Sequence, residues 1–444
     1  MLSLLRHPVF ARLFAAQVVA LLGTGLLSVA LGLLAFDLAG ADAGVVLGTA
    51  YAIKMVAYVG LAPLATAALA HAPRKLVLVV TNLIRAAVAV ALPWVSEIWQ
   101  IYVLIFVLQA ASATFTPVFQ ATIPDILTDE ARYTRALSLS RLAYDLEALA
   151  SPVLAALMLA VMSYSNLFLG TVAGFAMSAI LVWRAAVPPA QPQPEPFWGR
   201  VTKGTRIYLA TPRLRGVLGL TVGAAAVSGF VIVNSVVIVR GAFGGDEAAL
   251  GVAMAAFGAG SMAVALGLPA LLDRVGDRVV VMLGGVTNTL CMAALALWVQ
   301  VAGWPGWPVF LAIWVVFGMG YSAVVTPAGR LLRRSAHSAD RSAVFAAHFA
   351  LSHLCWLFTY PMAGWIGGRL GLPVALAALA VPCALGVVAA WRMWPPLSRA
   401  PIAHDHADLP PDHPHLAGDH GAHAHPVVID ALHPHWPARS AHRP

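Results

Sequence analysis

Charge is scarce in this chain. Asp, Glu, Lys and Arg make up 10% of its 444 residues, whereas a soluble domain carries about 25%. A water-facing globular surface cannot be built from so few. Cysteine is scarcer still. The three present, Cys291, Cys355 and Cys383, all lie inside apolar runs, so no disulfide framework is expected. No Gly-x-x-x-x-Gly-Lys-Ser/Thr loop occurs, which leaves ATP-driven work without support. No Ser/His/Asp grouping stands in a recognisable catalytic context. The chain is therefore not expected to be an enzyme or to need a cofactor. Alternating ten-residue segments, the mark of a transmembrane barrel, are missing too.

What fills the chain is long apolar runs. Hydrophobic residues reach 60%, and many runs have the roughly 20 residues needed to cross a bilayer as a helix. Twelve spans are expected. Six run over about 11–36, 45–70, 75–95, 99–123, 137–162 and 166–186. Six more run over about 214–240, 248–272, 278–300, 307–328, 344–368 and 372–394. The first run is too long for a signal-peptide core and reads as a retained helix. The expected fold class is an all-α polytopic membrane protein. Its parts are a six-helix half at 1–187, a Pro-rich link at 188–213, a second half at 214–395 and a tail at 396–444.

The net charge of +8 points to orientation and not to nucleic acid. One set of connections carries Arg74/Lys75, Arg132/Arg135, the basic link, Arg274/Arg278 and Arg330/Arg333/Arg334/Arg341. The opposite set holds only Arg240 and Arg369, with acids at Asp37, Asp42, Glu97, Asp246 and Glu247. The positive-inside rule places the basic connections, the link and both termini in the cytoplasm.

The halves read as repeats. Thr116-Pro117 ends the fourth span and Thr326-Pro327 the tenth, and Pro152 and Pro361 recur at a similar offset. Two such halves are the plan of secondary transporters, whose site lies between them near the midplane. Over roughly 1–395 the chain resembles the major facilitator superfamily. The clearest match is Leu272-Asp273-Arg274-Val275-Gly276-Asp277-Arg278, similar to that superfamily's Asp-Arg-x-Gly-x-Arg signature. The resemblance gives Asp273, Arg274, Gly276 and Arg278 a gating role. The matching loop of the first half, Ala70-His71-Ala72-Pro73-Arg74-Lys75, keeps the basic pair but lacks the Asp and the Gly.

Ionisable groups at membrane depth usually line a cavity or pair with each other. The first half offers Lys54, Arg85, Arg141, Asp145 and Glu147. Arg141 and Asp145, four apart, share a helix face and can pair; that pair also fits a purely structural role. Glu147 points elsewhere and needs a partner from another helix, for which Lys54 is a candidate. The second half offers His348 and His353 in the eleventh span. Repeat symmetry sets them across the cavity from Asp145 and Glu147, where carboxylates and imidazoles can hold a divalent cation or relay protons.

The tail is the other concentration of chemistry. Ten of the fifteen histidines fall in its last 41 residues. Eight form His-x-His pairs: His404/His406, His413/His415, His423/His425 and His433/His435; His420 stands between them. Seven prolines and five aspartates accompany them, too polar a mixture to fold alone. In an extended or turn-like chain such a pair can close on one ion, and imidazole suits Ni2+, Co2+, Zn2+ or Cu2+.

Together with Phe119-Gln120-Ala121-Thr122-Ile123-Pro124-Asp125 and the run Ala136–Glu147, the tail makes the chain resemble the bacterial nickel-resistance exporters. That resemblance implies an inner-membrane protein that expels Ni2+, and in some members Co2+, in exchange for protons; a monomer is expected. Two alternatives stay open: export of a drug or siderophore with an incidental metal-binding tail, and a metal-sensing membrane protein whose tail is the receptor.

Overall fold

The computed structural model describes residues 2–39, 43–189, 195–396, 402–405, 422–425, 427–430, 432–433 and 435–436. The apolar runs become helices α1 (Pro8–Ala39), α2 (Ala43–Ala68), α3 (Arg74–Ala91), α4 (Ile98–Ile126), α5 (Glu130–Leu159) and α6 (Leu167–Trp183) in the first half. The link contains α7 (Phe197–Ala210). The second half holds α8 (Pro212–Phe243), α9 (Glu247–Arg274), α10 (Asp277–Ala302), α11 (Trp307–Val325), a short α12 (Ala328–Arg334), α13 (Arg341–Leu370) and α14 (Leu372–Met393). Among the described residues, eleven helical runs are long and apolar enough to span a bilayer. The twelfth span is α5, whose Arg141, Asp145 and Glu147 set it apart from the rest.

Local chemistry explains several helix ends. Glu97 and Gln100 form a capping box at the start of α4, which satisfies backbone N–H groups that a helix leaves bare. Asp246 accepts from the Ala249 amide at 2.9 Å to start α9. Gly244 closes α8 at φ 62°, a left-handed position that suits glycine. Thr326-Pro327 breaks the tenth span into α11 and α12, because proline cannot supply the next helical N–H.

The link departs from a plain polar connection. Between its prolines lies a proline-free stretch that forms α7, with Gly204, Ile207 and Tyr208 buried and Trp198 exposed. The side chain that Gly204 lacks would collide with the Ala343 carbonyl of α13. Lys203 anchors the helix through Asp340 at 2.7 Å and Glu195 at 3.0 Å.

The repeat is visible in the packing. In the first half α1 pairs with α6, α2 with α4 and α3 with α6; in the second α8 pairs with α14, α9 with α11 and α10 with α14. Small residues let the backbones meet. A methyl at Gly174 would lie 2.6 Å from the Val19 carbonyl of α1, and one at Gly219 would lie 3.0 Å from the Gly386 carbonyl of α14. The halves touch each other where α2 and α4 meet α13 and where α5 meets α9.

Part of the tail is described. Ile402–Asp405 and Ala422–His425 pair as antiparallel strands β1 and β2, in a register that sets His404 across from His423. Residues 427–436, within the stretch expected to lack structure, include a docked portion. Val427, Ile429 and His433 are buried there, and Ile429 joins the cluster of Leu331, Leu332, Ala336 and Tyr208. This apolar patch gives those tail residues a surface to cover. His406, His413, His415 and His420 lie outside the described residues.

Candidate functional site

The charged interior belongs to α5. Arg141 forms an ion pair with Asp145 one turn on. Its Nε also donates to Ser261 Oγ of α9 at 3.1 Å, and its guanidinium lies 5.0 Å over the Tyr321 ring of α11. Arg141 therefore bridges the halves while holding the first half's acid. Asp145 is buried, and its second carboxylate oxygen has no hydrogen-bond partner among the described residues. An acceptor left bare in that setting is costly, and a proton or a cation would satisfy it.

Glu147 turns away from Asp145, as a spacing of two on a helix requires. Its Oε1 accepts from Ser151 at 3.2 Å and abuts Gly25 of α1. Lys54 of α2 interacts with it electrostatically without ion-pair contact, and the Lys54 ammonium sits 5.5 Å from the Tyr58 ring centre.

The two imidazoles of α13 lead different lives. His353 Nδ1 lies 2.7 Å from the Phe349 carbonyl, and its ring sits edge-on to Tyr58 of α2 at 4.7 Å. It belongs to the seam between the halves. His348 instead faces the link: its Nδ1 lies 3.1 Å from the Tyr208 hydroxyl of α7, and the rings stack. The expected shell of two carboxylates and two imidazoles is not assembled in this arrangement. Glu147 lies against α1 and Arg141 carries Asp145 toward α9, while the imidazoles on α13 face α2 and α7; Lys54 of α2 is within electrostatic reach of both Glu147 and His353. Among the described residues no group of three or more His, Cys, Asp or Glu converges as a metal site.

Arg85 is buried in the first half, its guanidinium 4.3 and 4.6 Å from the Phe115 and Phe175 rings. Asn82 Oδ1 accepts from it. Cys355 donates to the Leu351 carbonyl of its own helix at 3.3 Å and acts as a small core residue.

The basic end of the bundle is latched. Asp125 of α4 takes Arg74 at 2.6 Å and also Arg341 of α13. Glu130 of α5 takes Arg330 Nη2 at 2.5 Å and also Arg334. Arg330 donates to Thr134 at 2.9 Å, and Arg333 donates to the Thr128 carbonyl. First-half acids thus close on second-half arginines.

The loop signature is used differently from its sequence reading. Asp273 and Arg274 are exposed. The buried acid is Asp277, four residues on. It pairs with Arg334 and lies 3.1 Å from Arg330 Nε, an ion pair with poor hydrogen-bond alignment. Gly276 caps the start of α10, and Arg278 donates to the Trp394 carbonyl at 2.8 Å, tying down the end of α14. Sequence reasoning does not single out Asp125, Glu130 and Asp277, the acids of this latch; their signal is an acid inside an otherwise basic connection.

Two pseudo-symmetric six-helix halves, charges at their seam and a latch at one end define a multi-pass transporter of the major facilitator type. The chain belongs to the transmembrane secretion effector family, which it matches over residues 1–400. Among solved structures it is similar to the human organic anion transporter MFSD10 (TETRAN). The TM-score is 0.73 at 12% identity, over 86% of this chain and 99% of that one. It is also similar to a bacterial homologue of the iron transporter ferroportin in an outward-facing state. There the TM-score is 0.72 at 12% identity, over 87% and 99%. The same homologue with soaked iron gives 0.69. At these identities the likeness concerns the fold. No curated protein matches the chain.

Proposed function

We propose that this transporter exports divalent transition-metal cations, Ni2+ and in second place Co2+, from the cytoplasm by exchange with protons, and so confers metal resistance. One observation carries the proposal. Ten histidines, eight of them in His-x-His pairs, are tethered to the latched basic end of the bundle. By the positive-inside rule that end is cytoplasmic, in the inner membrane of a bacterium, with both termini on that side. A collector there raises the metal concentration where an inward-opening cavity would load. The latched state then corresponds to outward release.

Glu147 and Asp145 are the proposed proton or metal carriers. Arg141 is the positioning residue that links Asp145 to α9 and α11, so a change of charge at Asp145 is felt across the seam. His353 and Lys54 are secondary candidates at the same seam, and His348 is assigned to the link. The protein works as a monomer in this reading.

A second reading keeps one observation in its favour. The seam around His353 is aromatic, with Tyr58, Phe349 and Trp356, which suits an organic compound such as a drug or siderophore. Expression in a metal-sensitive bacterium separates the two. Growth and cell metal content are compared across Ni2+, Co2+, Zn2+ and Cu2+ for the full chain, Glu147→Gln and a chain ending at Arg399. Protection by the full chain with lower cell nickel, lost in Glu147→Gln, supports metal export. No better tolerance of any metal than with empty vector rejects it.

A further inference from the structure

The docked tail segment touches the latch through a short chain of contacts. Trp436 lies against the Arg213 guanidinium of α8, 5.8 Å from ring centre to carbon. Arg213 in turn donates to Ser335 Oγ at 2.7 Å and to the Arg334 carbonyl at 2.7 Å. Arg334 is the residue that meets Glu130 of the first half. On the other flank, Asp430 reaches His337 at 3.1 Å, in the connection between α12 and α13. Ile429 plugs the apolar patch between these two anchors.

The same segment carries the last His-x-His pair, and docking buries one of its two rings. Asp430 holds the first of the two rings. The Asp430 carboxylate accepts from the Leu432 and His433 amides at 2.9 and 2.8 Å, and His433 Nδ1 lies 3.0 Å from the same oxygen. His433 is 5% exposed while His435 is exposed. One ring is sequestered and the other faces solvent, so an ion that takes both rings must draw His433 out of its buried place on Asp430.

We infer that the described residues of the segment, 427–430, 432–433 and 435–436, form a metal-released strap. Docked, the strap braces Arg213 and the α12–α13 connection and so holds the latch closed. Capture of a borderline divalent cation by His433 and His435 straightens the segment, withdraws His433 from Asp430 and lifts Trp436 off Arg213. Arg334 and its neighbours are then free to exchange partners as the basic end opens. The cation that is to be carried thereby unlocks the side it must enter. This inference rests on the tail being a metal collector, and it concerns its last pair alone.

Hydrogen–deuterium exchange on the full chain in lipid nanodiscs, with and without NiCl2, tests it. Without metal, the peptide spanning 427–436 is expected to be protected, because the Asp430, Leu432 and His433 amides are hydrogen-bonded. With NiCl2, its exchange is expected to rise about tenfold or more, as loss of a turn allows, with a smaller rise over 330–341. Trp436→Ala should raise exchange in both regions without metal and leave the imidazoles in place. Protection that is unchanged or deepened by NiCl2, while calorimetry shows Ni2+ bound by the chain, overturns the strap and leaves the export proposal standing. No Ni2+ binding by the tail overturns both the collector and the strap. A rise confined to 427–436 with 330–341 unmoved, in metal and in Trp436→Ala alike, overturns the coupling to the latch.

Discussion

The two halves share a helix plan but not a chemistry. The first half carries Lys54, Arg85, Arg141, Asp145 and Glu147 inside the bundle. The second half answers at its own interior with neutral groups: Trp314 donates to Ser235, Trp356 donates to Ser228, and Asn234 donates to the Ala363 carbonyl. At the basic end the contrast turns into complementarity, with Asp125 and Glu130 from the first half closing on Arg330, Arg334 and Arg341 from the second. Duplication supplies two matching frames, and divergence places the switchable charge in one and the steady packing in the other.

That contrast can be broken at several points. The largest effect is expected from Glu147→Gln, which removes the first-half carboxylate facing Lys54. Metal export should fall to the empty-vector level while the protein still inserts, as read by cell nickel content and membrane yield. The matching second-half change, His353→Gln, should leave part of the activity; equal and complete loss from both would erase the asymmetry.

The next effect concerns the latch. Asp277→Asn takes the buried carboxylate from Arg330 and Arg334, which keep Glu130, so the loss is about 1–3 kcal/mol, the range for a buried polar group left short of a partner. Thermal unfolding in detergent should show a clearly lowered midpoint. The exposed Asp273→Asn should barely move it.

Small-residue crossings sharpen the symmetry itself. Gly174→Ala and Gly219→Ala place a methyl against a facing backbone carbonyl in equivalent helix pairs. Each should cost about 1–3 kcal/mol, the range for overpacking. Gly267→Ala meets open space and should not destabilise. A cost at only one of the two crossings would show that the halves are not packed as true equivalents.

The smallest effect is a pH response at the link. Burial pulls the Lys203 pKa down, but hydrogen bonds and charges from Asp340 and Glu195 outweigh it and hold the value above the ordinary lysine range. A raised pKa on a cation stabilises fully below the unfolded value, near 10.4, and the gain is lost as pH rises through the folded value. Exchange protection of α7 should therefore stay flat from pH 6 to about 9.5 and fall only beyond the ordinary lysine range.

Much of the frame was legible because bilayer physics is written in composition. Run length fixed the spans, Lys and Arg bias separated the two ends, and Thr-Pro recurrence exposed the repeat. The Arg141–Asp145 pair followed from helical spacing alone. The α7 helix hid inside a segment judged by its flanking prolines. The signature match points to Asp273 and not to Asp277 because it fixes residue types, whereas burial depends on how the loop turns into α10. His348 and His353, five apart on one helix, could not be divided between link and seam until the neighbours of α13 were known. The docked part of the tail is not legible in sequence because its short apolar run, Val427–Ile429, and Trp436 find their receptor patch only where α8, α12 and α13 come together.

The central claim is exchange of metal for protons through the first half's carboxylates. The most direct measurement is made in proteoliposomes holding a pH-sensitive dye, with Ni2+ uptake and proton movement followed together after NiCl2 is added. The account predicts Ni2+ entry matched by opposite proton flow, absent in Glu147→Gln and retained in a chain ending at Arg399. Proton flow that answers an organic substrate but not NiCl2, or Ni2+ entry that Glu147→Gln leaves intact, would contradict it.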